Sequence, residues 1–424
     1  MRKRVLVLVT VAAAVAAIFL LGNQLLTVSG QSRAGAGFAA IPGQKGGQDE
    51  FGPYEPVAGW PKDPSTSPGN EKWTWGSGQS VFAESPNRVY VLFRGELPKI
   101  PRPQAKVYPE AGPALSFPVQ QIPWRNASVG PVSALPGALD GNDTDRGQEG
   151  VDHKWENCLM VVDANGNILE RWTQYDKMMR RPHFVAINPY DAQKHLWLVD
   201  DYRHAIFKFT NDGKQLLQTI GQPNVSGNDG GHFSRPTFLA WLPDSTMFVS
   251  DGYTNTRVAK FDKDGKFLLT WGEPSTATQK GPNYFNNVHG IAVDPQTRRV
   301  FVNDRGNKRI QVFDENGKFL DQFPTGGAVS DIHLIFIGSD RNVWGADRGT
   351  SKVIKWDFDG HLLYSWGSFG DAPGQMFGVH GMSVDQEGNF YVAEVGGGRV
   401  QKFRPRPGAD PALMIGRPFY SAWR

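Results

Sequence analysis

The chain has 424 residues, 39% of them hydrophobic, with 49 Gly, 30 Pro and a formal net charge of +3. A charge so near neutrality gives no electrostatic footprint for nucleic acid, and the turn-rich composition suits a soluble all-β protein. Cys158 is the single cysteine, which excludes an internal disulfide and leaves the fold to its core alone.

Met1 to Arg4 is basic, and Val5 to Gly22 is apolar over a length that serves either a signal peptide or a membrane anchor. Val28 and Gly30 offer a cleavage site before Gln31, whereas the length of the run suits an uncleaved anchor with its positive end in the cytoplasm. Either reading of residues 1–30 implies export to a periplasmic or extracellular location, with membrane contact only through this segment. Residues 31–50 are rich in Gly, Ala, Ser and Gln and read as a flexible linker. The remainder, 51–424, reads as one domain.

That domain opens with a lead-in from Phe51 to Gly76, whose aromatics are expected to pack on the first repeat. "SVFAESPNRVYVLFRGEL" and "ENCLMVVDANGNILERW" each carry half of a four-stranded unit, separated by a Pro-rich insertion at about 98–150 that reads as a lid, a cap or a wandering loop. Cys158 lies in the apolar strand of the second half and reads as a buried, inert thiol.

From His183 to Phe403 the same grammar repeats five times: an apolar run, a turn, a second run ending in an acid, then a hairpin. The closing acids are Asp200, Asp251, Asp304, Asp347 and Glu394, a period of 43 to 53 residues. Such a period means a propeller or a solenoid, and four short strands per repeat favour the propeller. With the upstream halves counted as one unit, the fold class is an all-β, six-bladed β-propeller. Asn165-Gly166, Asp212-Gly213, Asp264-Gly265, Asn316-Gly317 and Asp359-Gly360 sit between strands where φ > 0 is needed. The tail past Phe403 is expected to help seal the last blade.

Residues at one position of the innermost strand meet at one level of the central channel. His183, Thr237, His289, His333 and His380 share that position, the last four lying 14 or 15 residues before the closing acid of their repeats. His183, His289 and His380 then alternate around the ring, a donor set that can hold Zn²⁺ and leave a coordination position open. For His333 the register leaves three readings open: an additional ligand, a donor behind the ligands, or a neighbour. His153, His195, His204, His232 and His361 fall off the register and read as surface or turn residues.

The segments "RRPHFVAIN", "NNVHGIAVD" and "FGVHGMSVD" resemble the zinc-histidine segments of the NHL-repeat propellers known as peptidyl-α-hydroxyglycine α-amidating lyases. The likeness extends over roughly residues 54–403. It implies zinc on His183, His289 and His380, a catalytic Tyr253 in "SDGYTNTR", and active-site arginines Arg94 in "LFRGE" and Arg305 in "VNDRGNKRIQV". That family has an Asp after its third zinc histidine that helps bind calcium. Gly381 stands there in this chain and argues against calcium. Val288 and Val379 replace the family's prolines, and the blade matching His333 carries no metal histidine in the family.

The implied reaction cleaves the C–N bond of a carbinolamide to give an amide and glyoxylate, on a peptide or small-molecule substrate bearing a carboxylate. In it Tyr253 takes the hydroxyl proton as general base, while Arg94 or Arg305 holds the carboxylate. Two competing readings are a non-catalytic NHL propeller that binds a protein or glycan, and a different propeller metallohydrolase such as a lactonase, whose sites prefer oxygen ligands.

Overall fold

The computed structural model describes residues 47–49, 52–99, 106–107, 116–117, 149–151, 153–370 and 372–417. The expected signal or anchor segment, most of the linker and most of the insertion lie outside them.

The described residues form six blades of four antiparallel strands, which follow one another around the ring in chain order, and Gly47–Asp49, from the expected linker, adds a fifth strand in parallel to Leu362–Trp366 of blade 5. Blade 1 runs Trp73–Ser85, Arg88–Pro98, Leu159–Val162, Ile168–Arg171, so the insertion leaves and returns between its second and third strands. The innermost strands of blades 2 to 6 are Pro182–Ile187, Pro236–Trp241, Val288–Val293, Ile332–Ile337 and Val379–Val384. Each has six residues, and the channel position found by counting is the second residue of every one. β-branched and aromatic residues fill these strands because both faces are covered by neighbouring blades.

Blade 6 obtains its fourth strand from upstream in the chain: Tyr54–Pro56 pairs antiparallel with Arg399–Pro405. The tail helps seal this blade, as expected: Ile415 is buried and its amide donates to the Tyr54 hydroxyl at 3.0 Å. The lead-in aromatics divide: Trp75 stacks on Phe93 of blade 1 at 4.4 Å, as expected, whereas Tyr54 packs on Trp366 and Phe390, and Trp60 on Tyr391, so these two also serve the last two blades.

The hairpin glycines have a packing reason beside their positive φ. A Cβ on Gly213 (φ 67°) would stand 2.4 Å from the Trp172 ring of the preceding blade, and one on Gly317 (φ 83°) 2.8 Å from Trp271. A large residue that ends one blade thus slides beneath the outer turn of the next, an aromatic at Gly213, Gly317 and Gly360 and Ile220 at Gly265. At the joint between blades 6 and 1, Trp60 occupies that place against Gly166 and donates from Nε1 to Asp163 O at 2.8 Å.

The acids that close each second strand are fully buried and tie down the segment leading to the innermost strand. Asp200 accepts from the Arg180 and Arg181 amides at 2.6 and 2.9 Å, Asp304 from the Asn286 amide at 2.7 Å, and Glu394 from the Phe377 amide at 2.8 Å. Those amides lie three residues before His183, His289 and His380, or two in the case of Arg181, so the repeat's signature acid sets where each imidazole begins. Cys158 is buried as expected, and burial pushes its thiol well above the ordinary value.

Candidate metal centre

His183, His289 and His380 converge in the channel, with one ring nitrogen of each within 4.8 Å of the others, a group able to hold a metal ion. All three are at most 2% exposed. Ring centroids stand 5.1 Å apart for His183 and His289, 4.7 Å for His183 and His380, and 5.6 Å for His289 and His380. Phe238 lies 5.0, 5.1 and 5.8 Å from the same three rings and gives the cluster an apolar side.

Each imidazole is oriented by a carbonyl of the next blade. Nδ1 of His183 contacts Thr237 O at 2.9 Å, that of His289 contacts His333 O at 2.8 Å, and that of His380 contacts Gln79 O at 2.6 Å. A carbonyl only accepts, so the proton sits on Nδ1 and the Nε2 lone pair is left to coordinate. Burial, the largest cause, holds all three well below the ordinary imidazole value. Arg94 and Arg181 add to it at His183, His333 and Arg305 at His289, and His183 and His333 at His380.

The Tyr253 hydroxyl lies 3.1 Å from Nε2 of both His183 and His289. A phenol has one proton, so one of these contacts sets lone pair against lone pair. Three converging Nε2 lone pairs beside such an oxygen fit a bound cation, and the residues present therefore suit a metal. Gly252 allows the approach, since a Cβ there would meet Val288 O at 1.8 Å.

Two guanidinium groups flank the Tyr253 ring, Arg235 at 4.7 Å and Arg181 at 5.5 Å from its centroid. Both donate to Asp201 Oδ2, at 2.9 Å from Arg235 Nη2 and 3.0 Å from Arg181 Nη1, and both stack on Tyr202. Sequence reading missed this group, although Arg-Pro precedes the channel residue in both blades 2 and 3 and the register would have exposed it.

The two expected arginines differ. Arg94 is buried, its Nε has no hydrogen-bond partner among the described residues, and burial with the nearby Arg181 pulls it down to about 10. Arg305 is engaged: Nε donates to Asp331 Oδ1 at 2.6 Å and Nη2 to Oδ2 at 3.2 Å. Burial lowers its affinity for the proton, but Asp331 and the adjacent Tyr253 outweigh that and raise it. His333 is not in the three-nitrogen group. Its carbonyl orients His289, and its Nε2 meets Asp331 Oδ2 at 3.2 Å.

Gln79, the blade 1 counterpart of the histidines, escaped the sequence reading because the first strand was begun at Ser80. Of the histidines read as surface or turn residues, His153 and His204 are buried, at 8% and 3% exposure. His204 does sit in a turn, with φ 54°, and its Nδ1 accepts from the Arg235 amide at 3.1 Å, which explains its burial.

The fold and site together define an NHL-repeat propeller with a buried imidazole triad able to hold a metal. The NHL repeat family matches residues 285–313. The chain is 30% identical over 270 residues to the peptidyl-glycine alpha-amidating monooxygenase of Mus musculus, covering 54% of this chain and 27% of that protein. It is 28% identical over 285 residues to peptidyl-alpha-hydroxyglycine alpha-amidating lyase 1 of Drosophila melanogaster, covering 60% and 50%. NHL repeat-containing protein 3 of Mus musculus is 28% identical over 275 residues, covering 60% and 75%. The chain is thus related to the amidating lyases, and spans about half the length of the fly lyase and about a quarter of the mouse monooxygenase.

Proposed function

We propose that the protein is a zinc-dependent carbon–nitrogen lyase that cleaves a carbinolamide into an amide and glyoxylate, on a peptide or small-molecule substrate with a free carboxylate. The reading is carried by the Tyr253 hydroxyl poised 3.1 Å from two of three converging Nε2 atoms. His183, His289 and His380 hold the metal through Nε2. When bound, zinc supplies Lewis acidity at the substrate hydroxyl. Tyr253, in its deprotonated form, accepts the hydroxyl proton. The O–H electron pair becomes the carbonyl of glyoxylate, the C–N bond breaks, and its electron pair stays on nitrogen, which takes up a proton to become the amide.

Arg94 is the carboxylate clamp in this reading, because its buried guanidinium has an Nε with no partner to give up. Arg305 is already spanned by Asp331 and acts beside Tyr253 rather than on the substrate carboxylate. The donor set contains no oxygen ligand, which speaks for zinc and against both calcium at this centre and the lactonase alternative. The proposal includes export through the N-terminal segment.

Elemental analysis of the purified protein beside His289→Ala tests the metal, and glyoxylate release beside Tyr253→Phe tests the chemistry. About one zinc per chain, lost in His289→Ala, with release that depends on Tyr253, supports the lyase. A protein that takes up no zinc on reconstitution leaves the protein- or glycan-binding propeller in its place.

A further inference from the structure

His333 is 3% exposed, and its ring packs edge-on against two members of the triad, with centroids 4.7 Å from His289 and 4.8 Å from His380. Its Nε2 faces Asp331 Oδ2 at 3.2 Å. A carboxylate bound to two guanidinium nitrogens accepts and does not donate, so in the neutral ring the His333 proton is on Nε2 and Nδ1 carries a lone pair. That Nδ1 is buried and has no hydrogen-bond partner among the described residues. A buried acceptor left unmade costs free energy, and native interiors rarely keep one without a use. Arg94 Nε on blade 1 is a buried donor in the same condition, in a group that also borders Tyr253.

Resting on the lyase reading, we propose that His333 is a specificity residue whose Nδ1 accepts a hydrogen bond from an N–H of the bound substrate, so that the enzyme takes secondary amides and discriminates against N-alkylated ones. Asp331 fixes the tautomer that makes this possible and at the same time fixes Arg305, so one carboxylate sets two neighbours of the reacting centre. The carbonyl of residue 333 orients His289 whatever the side chain is, which separates substrate recognition from metal binding.

The test uses the zinc-loaded protein and two analogues without a carbinol hydroxyl, which therefore do not turn over: N-benzoylglycine and N-benzoyl-N-methylglycine. Calorimetry on the wild type is expected to give roughly tenfold or more tighter binding of the N–H analogue. In His333→Leu that ratio should fall to about threefold or less, with zinc content unchanged and the N-methyl analogue bound as before. His333→Asn, which keeps an acceptor, should recover part of the ratio. Nitrogen-15 spectra of histidine-labelled wild type provide a reading free of variants, since the His333 Nδ1 resonance should move on adding N-benzoylglycine and stay on adding its N-methyl partner.

An unchanged ratio in His333→Leu, equal weakening of both analogues, or a still Nδ1 resonance with N-benzoylglycine bound overturns the His333 proposal and leaves the lyase standing. Failure of the wild type to bind either analogue at millimolar concentration sinks the substrate class, and the His333 proposal with it.

Discussion

The even-numbered and odd-numbered blades use the same strand position for different work. Blades 2, 4 and 6 spend it on the imidazoles of His183, His289 and His380, while blades 3, 5 and 1 spend it on the carbonyls of Thr237, His333 and Gln79 that orient those imidazoles. A propeller whose blades were all alike would crowd six side chains into one level of the channel. Alternation gives three imidazoles able to hold a metal and three orienting groups from one repeat, and it frees the odd blades to place Tyr253, Arg235 and Asp331 around the rim.

If the division is right, breaking an even blade removes the metal and breaking an odd one leaves it bound. The largest effect is expected for His289→Ala. Removing a ligand should weaken zinc by more than the roughly 10–100-fold typical of losing an outer hydrogen-bond partner, and glyoxylate release should fall to background. Tyr253→Phe, on an odd blade, should keep about one zinc per chain by elemental analysis and lose roughly 10²–10⁴-fold in rate.

The even blades also make a pH prediction for the metal-free protein. His183, His289 and His380 are held neutral in the fold well below the ordinary imidazole value, first by burial. The unfolded chain therefore binds more protons than the folded one once pH drops below about 6.5, so stability is lost as pH falls through that value and onward. Each of the three steepens the loss by up to about 1.4 kcal/mol per pH unit. Melting curves of the stripped protein between pH 7.5 and 5 should show the drop, and zinc loading should move its onset to lower pH.

The arginines sharpen the comparison within the odd blades and their neighbours, because the two substitutions are expected to act on stability with opposite signs. Arg94→Met removes a buried cation with an unsatisfied Nε, so it should raise the melting temperature while weakening carboxylate binding by roughly 10–100-fold, the value of a charge-assisted hydrogen bond. Arg305→Met strips Asp331 of its bidentate partner and should lower the melting temperature. Substrate KM and thermal melts on the same two variants separate clamp from scaffold.

Much of this was legible in the sequence because it is periodic. The closing acids, hairpin glycines and channel histidines recur at fixed offsets, so counting alone put His183, His289 and His380 on alternate blades. What was hidden lacked that periodicity. Gln79 acts through its carbonyl, which every residue has, so no residue type marked it. Asp331 and Asp201 do stand at repeated positions, two residues before the channel residue and one after the closing acid, but the residue type there changes from blade to blade, and each takes a partner from a neighbouring blade, Arg305 for Asp331 and Arg235 for Asp201. The closing strand Tyr54–Pro56 gives no pattern of its own, being three residues whose role depends on the other end of the chain.

The smallest effect expected is also the most direct trial of the orienting carbonyls. Glycine follows two of the three histidines, and the reason is steric: a Cβ at Gly290 would lie 2.9 Å from His333 O and 2.8 Å from Ile335 N, while one at Gly381 would lie 3.1 Å from Gln79 O. Gly290→Ala must therefore push away the carbonyl that holds His289 Nδ1, and zinc affinity should fall by about tenfold, at the low end of outer-partner losses. Gly381→Ala needs its neighbour to yield by only a few tenths of an ångström, and should cost less. Competition with a chelator ranks the two. Zinc affinity unchanged in both would mean that the carbonyls do not orient the imidazoles, and the contrast between even and odd blades would lose its physical basis.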